Sequence, residues 1–247
     1  MKKLEGKIAV ITGASRGIGR ATALKFAEGG CSVVVNYNKN KSAAEETLKS
    51  INKINKSSKS IIVKADVGSP NECKKLIEKT VSEFKKIDIL VNNAGINPPT
   101  KLDETDEISF DEIVNVNVKS AYFCTKYAVP YMKNGRIINL SSIRAFRSRP
   151  NMSVYESAKA AVISLTRSLA FELASKGIRV NAVAPGYVDT DMMRALPKEL
   201  LENLRQTIPL KRFGKPEEIA ELILFLACSE TDYITGQIFP IDGGYLT

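Results

Sequence analysis

Short apolar runs of strand length recur along the whole chain, each separated from the next by a stretch of helical periodicity, and this alternation constrains the fold more than any other feature. Strand-like runs rich in Ile and Val read at residues 7–12, 32–35, 60–65, 87–91, 136–140, 178–182 and 237–241. Helical patterns read at 18–29, 42–54, 71–84, 109–132 and 155–175, and a further helix opens at Pro216-Glu217-Glu218. Continuous apolar strands suit a sheet buried on both faces, and parallel neighbours need helical crossovers to cover those faces. The expectation is an α/β fold: one doubly wound, parallel, seven-stranded sheet with helices on both faces, a single domain over residues 1–247. With 44% hydrophobic residues, a chain of this length can fill such a core. The polar stretch 53–59 reads as a surface turn. The least regular stretch, 188–213, carries Asp189, Thr190, Asp191, two methionines and two prolines, and is expected to be a substrate lid at the carboxyl edge of the sheet.

Composition removes several kinds of chemistry. There is no histidine, so neither a serine-histidine triad nor a histidine-ligated metal can be built. Cys31, Cys73, Cys124 and Cys228 lie far apart, without CxxC spacing, and read as reduced, buried thiols, not a disulfide or zinc site. The charged start Met1-Lys2-Lys3-Leu4-Glu5-Gly6-Lys7 is unlike a signal peptide, and the longest apolar stretch, 219–228, is too short to span a bilayer. A cytosolic protein without a membrane anchor is expected. The formal charge of +9 favours anionic partners. Because the cations are scattered and aromatics make up only 7%, a nucleic-acid partner is not expected.

Directly after the first strand comes Thr12-Gly13-Ala14-Ser15-Arg16-Gly17-Ile18-Gly19. Glycines between a strand and a helix let backbone approach a pyrophosphate, and the helix N-terminus favours that anion. The spacing is GxxxGxG, not the GxGxxG of the usual dinucleotide fingerprint. An NAD-preferring site places a carboxylate after the second strand to bind the ribose hydroxyls. Here that strand runs out through Asn36-Tyr37-Asn38-Lys39, with no carboxylate and with Arg16 and Lys39 available to a 2′-phosphate. NADP(H) is expected over NAD(H), with Lys39 and Lys41 as a solvated helix start the alternative reading of those lysines.

Tyr155 and Lys159 stand four residues apart in a helical stretch, on one face, one turn apart. A phenol titrates near ~10, so a neighbouring ammonium that stabilises the phenolate would make it useful in acid–base chemistry without histidine. The run Arg136-Ile137-Ile138-Asn139-Leu140 ends in Ser141-Ser142, where a hydroxyl can leave the sheet edge toward a ligand. A tyrosine on an amphipathic helix is by itself more often core than catalyst; the combination carries the inference.

Together with Asn92-Asn93-Ala94-Gly95, Asn117 and Pro185-Gly186, these motifs resemble the short-chain dehydrogenase/reductase family over essentially the whole chain, which implies a Rossmann-type domain. The resemblance implies that Ser142 orients a carbonyl, Tyr155 donates the proton, Lys159 lowers the tyrosine pKa and binds the nicotinamide ribose, and Asn117 holds a water linking Lys159 to solvent. It implies cofactor contacts from Gly13, Ser15, Arg16, Gly17, Ile18, Gly19, Asn38 and Lys39 around the phosphates. Asp66 and Val67 would meet the adenine, Asn93, Ala94 and Gly95 the groove, and Pro185, Gly186, Val188 and Thr190 the carboxamide. Asn92 reads instead as a tie between strands, and Asp66 also as a turn cap. The match is closest to the 3-oxoacyl-acyl-carrier-protein reductase branch of fatty acid biosynthesis, which implies an acidic carrier-protein partner and a homotetramer. Lys133 and Lys176 with Arg144, Arg147 and Arg149 form a candidate docking rim, or the arginines are solvated loop charges. Ile96-Asn97-Pro98-Pro99-Thr100-Lys101-Leu102 departs from that branch, and a sugar, polyol or other secondary-alcohol dehydrogenase, or a cofactor sensor without catalysis, stays open beside it.

Overall fold

Strand residues alternate between two buried layers, and this decides what each face of the sheet can hold. In the computed structural model, which describes residues 2–247, seven strands pair in parallel in the order β3-β2-β1-β4-β5-β6-β7. They are β1 (Ile8–Ile11), β2 (Ser32–Tyr37), β3 (Ile61–Lys64), β4 (Ile89–Asn92), β5 (Arg136–Leu140), β6 (Arg179–Pro185) and β7 (Ile238–Ile241). Ala9, Ile11, Val33, Val35, Ile89, Val91, Ile138 and Leu140 point into one layer, against Phe26, Ile51, Ile219 and Ile223. Val10, Val34, Leu90, Ile137 and Val180 point into the other, against Leu76, Ile77, Cys124 and Leu173. The first layer is closed by α1 (Gly17–Glu28), α2 (Lys41–Ile54) and α9 (Pro216–Ala227), and the second by α3 (Pro70–Phe84), α5 (Ser120–Ala128) and α6 (Ser153–Leu173). The remaining helices are α4 (Glu107–Val114), α7 (Asp191–Arg194) and α8 (Lys198–Gln206). The seven expected strands, the parallel sheet and the two helical layers are all present. Met1 of the charged amino-terminal run lies outside the described residues, and all four cysteines are free and buried.

Two expectations are corrected. The single helix read over 109–132 is broken: α4 ends at Val114, a π-helical turn covers Asn115–Lys119, and α5 follows. A π turn inserts a residue into the helical ladder and shifts the faces that follow, a device common at functional sites. It also turns the Asn117 side chain inward, where its Nδ2 donates to the carbonyls of Ile96 and Ile113, both at 2.9 Å. The stretch 188–213 is not irregular throughout, since α7 and α8 fill half of it. Pro197 caps α8 and Pro209 follows it, so the prolines mark the ends of a helix, as fixed φ and a missing N–H dictate. Leu204 is its buried residue, and Ile208, just past the helix end, is buried as well.

Candidate active site

The order β3-β2-β1-β4 reverses direction at β1, and the crevice outside the carboxyl ends of β1 and β4 is where such a sheet can receive a ligand. The glycine loop fills that point. Gly13 has φ +63°, open to glycine at little cost, and its N–H donates to Asn36 Oδ1 at 3.1 Å. Asn36, buried at the end of β2, also donates through Nδ2 to the carbonyls of Val63 (3.3 Å) and Ala65 (3.1 Å), so it ties the loop to β3. From β4, Asn93 Nδ2 donates to the carbonyls of Thr12 (2.8 Å) and Gly13 (3.2 Å), while Thr12 Oγ1 accepts from the N–H groups of Asn93 and Ala94. A Cβ on Gly19 would stand 2.5 Å from Asn93 Nδ2 and from the Gly13 carbonyl, so only glycine fits where α1 enters. The outcome is a braced loop at the N-terminus of α1, which has no acidic residue in its first turn and leaves its N–H groups to an anion.

Beside the loop lies a groove of about 270 Å³ between α1 and the 188–213 segment, lined by Ser15, Arg16, Gly17, Arg20, Glu46, Asp189, Thr190 and Arg194 among others. Arg20 pairs with Glu46 at 3.4 Å, and Arg194 holds Asp189 through both carboxylate oxygens at 2.8 and 3.1 Å. Arg16, Asn38, Lys39 and Asp66 are exposed. Asp66 Oδ1 accepts from the Gly68 N–H at 3.0 Å, as a turn cap does. Ile18 packs against the first core layer, while Val67 and Val188 turn their side chains inward, which leaves backbone for any ligand contact. Pro185 ends β6, and Gly186 abuts the tail, where a Cβ would lie 2.7 Å from Asp242 Cα.

On the opposite side of the β4–β5 edge the structure brings Ser142, Tyr155, Lys159, Gly95 and Asn117 together. Ser142 is buried where the chain leaves β5, and its Oγ accepts the Arg144 N–H at 3.1 Å. The Lys159 ammonium is buried, donates to the Leu140 carbonyl at 2.9 Å and stands 5.7 Å from the centre of the Tyr155 ring. Burial without a carboxylate pushes its pKa down to about 8. Burial raises the Tyr155 phenol, while the Ser142 hydroxyl and the Arg144 charge pull the other way. A Cβ on Gly95 would lie 2.8 Å from Asn117 Oδ1 and 3.4 Å from Lys159 Nζ, so the amide and the ammonium both crowd this glycine. Asn117 Oδ1 is buried with no protein partner, an acceptor matched to a water or a ligand hydroxyl.

Several residues that position this site escaped the sequence reading. Asn92 Nδ2 donates to Asn139 Oδ1 (2.9 Å) and Thr125 Oγ1 (3.2 Å), and Asn139 Nδ2 donates to Thr166 Oγ1 (3.0 Å). Asn92 is thus the strand tie expected of it, but Asn139, Thr125 and Thr166 carried no motif. Asn36 and Thr12 were likewise invisible as braces. The candidate docking rim is corrected: Lys133 and Lys176 precede β5 and β6 at the amino edge of the sheet, while Arg144, Arg147 and Arg149 follow β5 at the carboxyl edge. Arg144 is neither rim nor solvated charge, for it is 5% exposed and hydrogen-bonded to Tyr187 and Tyr245.

Comparison with known proteins agrees with this geometry. A family model described as enoyl-(acyl carrier protein) reductase matches residues 13–246. The 3-oxoacyl-acyl-carrier-protein reductase FabG of Thermotoga maritima is 42% identical over 250 residues, covering 98% of either chain. FabG of Staphylococcus aureus is 44% identical over 241 residues, 96% of this chain and 97% of its own. Among solved structures, a short-chain dehydrogenase/reductase from Serratia marcescens superposes with a TM-score of 0.94 at 34% identity, over 99% of this chain and 100% of that one. A short-chain dehydrogenase from Burkholderia cenocepacia in complex with NADP gives 0.94 at 34% identity with the same coverage. The chain belongs to the short-chain dehydrogenase/reductase family. It is accordingly an oxidoreductase that works with a nicotinamide cofactor on a hydroxyl or carbonyl group.

Proposed function

We propose that the protein is an NADP(H)-dependent 3-oxoacyl-acyl-carrier-protein reductase, a single catalytic domain with residues 188–213 as its lid. The observation that carries the reaction class to this site is the convergence of Ser142, Tyr155 and Lys159 at one strand end, with the orphaned Asn117 acceptor beside them. The substrate is supported by the FabG relatives at 42–44% identity over nearly the full chain. The braced glycine loop and the adjoining groove fit a dinucleotide: Gly13 to Gly19 would cradle the pyrophosphate, Thr190 would close over it, and Gly95 would leave room for the ribose. The preference for NADP(H) is supported by the exposed Arg16, Asn38 and Lys39 after β2, where no carboxylate opposes a 2′-phosphate.

When bound, the reduced cofactor supplies a hydride to the substrate carbonyl carbon. Ser142 holds the carbonyl oxygen, since its Oγ already accepts the Arg144 N–H and can spend its proton outward. Tyr155 passes its phenolic proton to the same oxygen as alkoxide character develops. Lys159, with its pKa near 8, stabilises the phenolate left behind, and a water on Asn117 Oδ1 returns a proton through it. The same reading carries a homotetramer, supported by apolar side chains left exposed on α5 and α6, Tyr122 and Phe171. Sedimentation of the purified protein tests it. A cytosolic location is part of the proposal; among the described residues no helix is long and apolar enough to cross a membrane.

The test follows NADPH and NADH absorbance with an acetoacetyl thioester, beside sugars, simple ketones and an enoyl thioester. Thioester-dependent NADPH oxidation, reduced at least ~10³-fold in Tyr155→Phe with cofactor affinity kept, is the expected result. Activity confined to sugars or to the carbon–carbon double bond would discard the substrate.

A further inference from the structure

Arg144 has an environment that the reaction as described does not use. It sits two residues past Ser142, on the short 3-10 segment Ile143–Ala145, and is 5% exposed. Its guanidinium donates to Tyr187 Oη at 2.7 Å, to Tyr245 Oη at 2.9 Å and to the Arg147 carbonyl at 3.0 Å. Its centre lies 5.4 Å from one tyrosine ring and 5.3 Å from the other. All of these partners are neutral, so a full positive charge is held inside the protein without a counter-ion in contact, and its field reaches further than that of a solvated arginine.

The two tyrosines come from different segments. Tyr187 follows β6 at the base of the lid and packs edge-on against Phe213, 6.4 Å between centroids. Tyr245 belongs to the carboxyl-terminal tail and meets Tyr187 edge-on at 5.5 Å. Asp242 folds that tail by accepting the N–H groups of Gly244 and Leu246, both at 2.9 Å, and Arg147 covers Tyr245 from outside, 4.8 Å from its ring, while donating to its carbonyl. One side chain therefore joins the serine turn, the lid base and the tail.

We propose that Arg144 is a positioning residue for proton transfer: clamped by Tyr187 and Tyr245, it fixes Ser142 through its backbone N–H and keeps a permanent charge at the turn that carries this serine. The proposal rests on the reading of Tyr155 as the proton donor. Around that phenol, Lys159 and Glu156 come from its own helix, with Glu156 occupied by the Arg149 N–H at 2.7 Å. Ser142 and Arg144 come from the turn after β5, and Ile96, Val114 and Val118, from the loop after β4, α4 and the π turn, pack with Tyr155 on one apolar cluster of Ile113, Val154 and Ala158. Beside Lys159, of the phenol's own helix, Arg144 is a second cation that lowers the cost of the phenolate. The tail hydroxyl is then part of the catalytic device, and tail docking and proton transfer are linked through one guanidinium.

The test is the pH dependence of kcat/KM for NADP⁺-linked oxidation of a 3-hydroxyacyl thioester by the full-length enzyme. That direction requires the phenolate, so loss of the charge in Arg144→Met moves the acid limb upward by roughly one pH unit. Arg144→Lys restores the position of the limb but not the full kcat, because an ammonium lacks the fork by which one guanidinium nitrogen holds both hydroxyls while the other holds the Arg147 carbonyl. Tyr245→Phe, which keeps the charge and frees one guanidinium N–H, lowers kcat several-fold at unchanged cofactor affinity. An Arg144→Met enzyme that folds and keeps the wild-type acid limb overturns the proposal, whatever its rate. Should that variant not fold, an unchanged kcat in Tyr245→Phe overturns it. Activity that survives Tyr155→Phe would sink the underlying reading instead, and so separates the two failures.

Discussion

At the scale of single residues, Lys159 shows a cost accepted for chemistry. Its pKa falls from 10.5 to about 8 because the fold buries it. Between those values the unfolded chain holds the proton and the native chain releases it, so this group makes stability rise as pH climbs from about 8 toward 10.5. Below pH 8 both states are protonated and the native state carries the whole penalty, on the order of 3 kcal/mol. Lys159→Met, which also gives up the hydrogen bond to Leu140, is therefore expected to resist urea better than the parent at pH 7 by about 1–2 kcal/mol, to lose that advantage near pH 10, and to lose turnover. Gly19→Ala has the opposite character: its Cβ meets backbone and the Asn93 amide at 2.5 Å, and the loop can accept it only by shifting. A fall in NADPH affinity of at least ~10-fold, read by fluorescence titration, is expected, with about 1–3 kcal/mol lost from the fold. Tyr155, Lys159 and the glycines were legible because their spacing is local. Asn36, Thr12 and Asn139 were not, because each acts on a partner more than twenty residues away that only the sheet register brings near.

At the scale of elements, a polar seam that runs from Asn92 through Asn139 to Thr166 ties α6, which carries the proposed proton donor, to the sheet. All three are buried, so removal of the middle member strands a donor and an acceptor in an apolar layer. Asn139→Leu is expected to cost about 1–3 kcal/mol in denaturant unfolding and to lower kcat more than it raises KM, because α6 carries the proposed proton-transfer pair, while the glycine loop proposed to hold the cofactor phosphates is braced separately by Asn36, Asn93 and Thr12. Element existence was readable from periodicity, and most ends fell within a few residues. The failures had physical causes. The π turn at Asn115–Lys119 keeps helical periodicity on both sides and leaves no composition mark. Around α8, Pro197 and Pro209 suggested a loop when Pro197 caps a nine-residue amphipathic helix and Pro209 follows its end. The apolar Leu204–Ile208 spacing was the available signal, outweighed by the prolines and by the acidic start at Asp189.

At the scale of the molecule, the sheet topology was implied by the alternation of strands and helices, but the strand order was not, and the order decides which cations share an edge. Residues at the amino and carboxyl ends of a five-residue strand are separated by about 13 Å of backbone, so β5 divides the basic residues into two sets. Lys133 and Lys176 are exposed neighbours at the amino edge, where Asn134 and Gly177 touch, while Arg147 stays by the catalytic mouth. With a net charge of +9, the protein would attract the acidic carrier of the proposed reaction over a Debye length of ~8 Å at physiological salt. If the carrier docks at the amino-edge pair, Lys133→Glu with Lys176→Glu raises KM for the acyl carrier several-fold and makes kcat/KM less sensitive to salt, while a free acyl thioester, which needs only the cleft, shows unchanged kinetics. If the carrier docks at the mouth, the same penalty follows Arg147→Glu instead. Steady-state kinetics with both substrates across a salt series distinguishes the two edges, because steering acts on the charged carrier and leaves the chemistry at Tyr155 untouched.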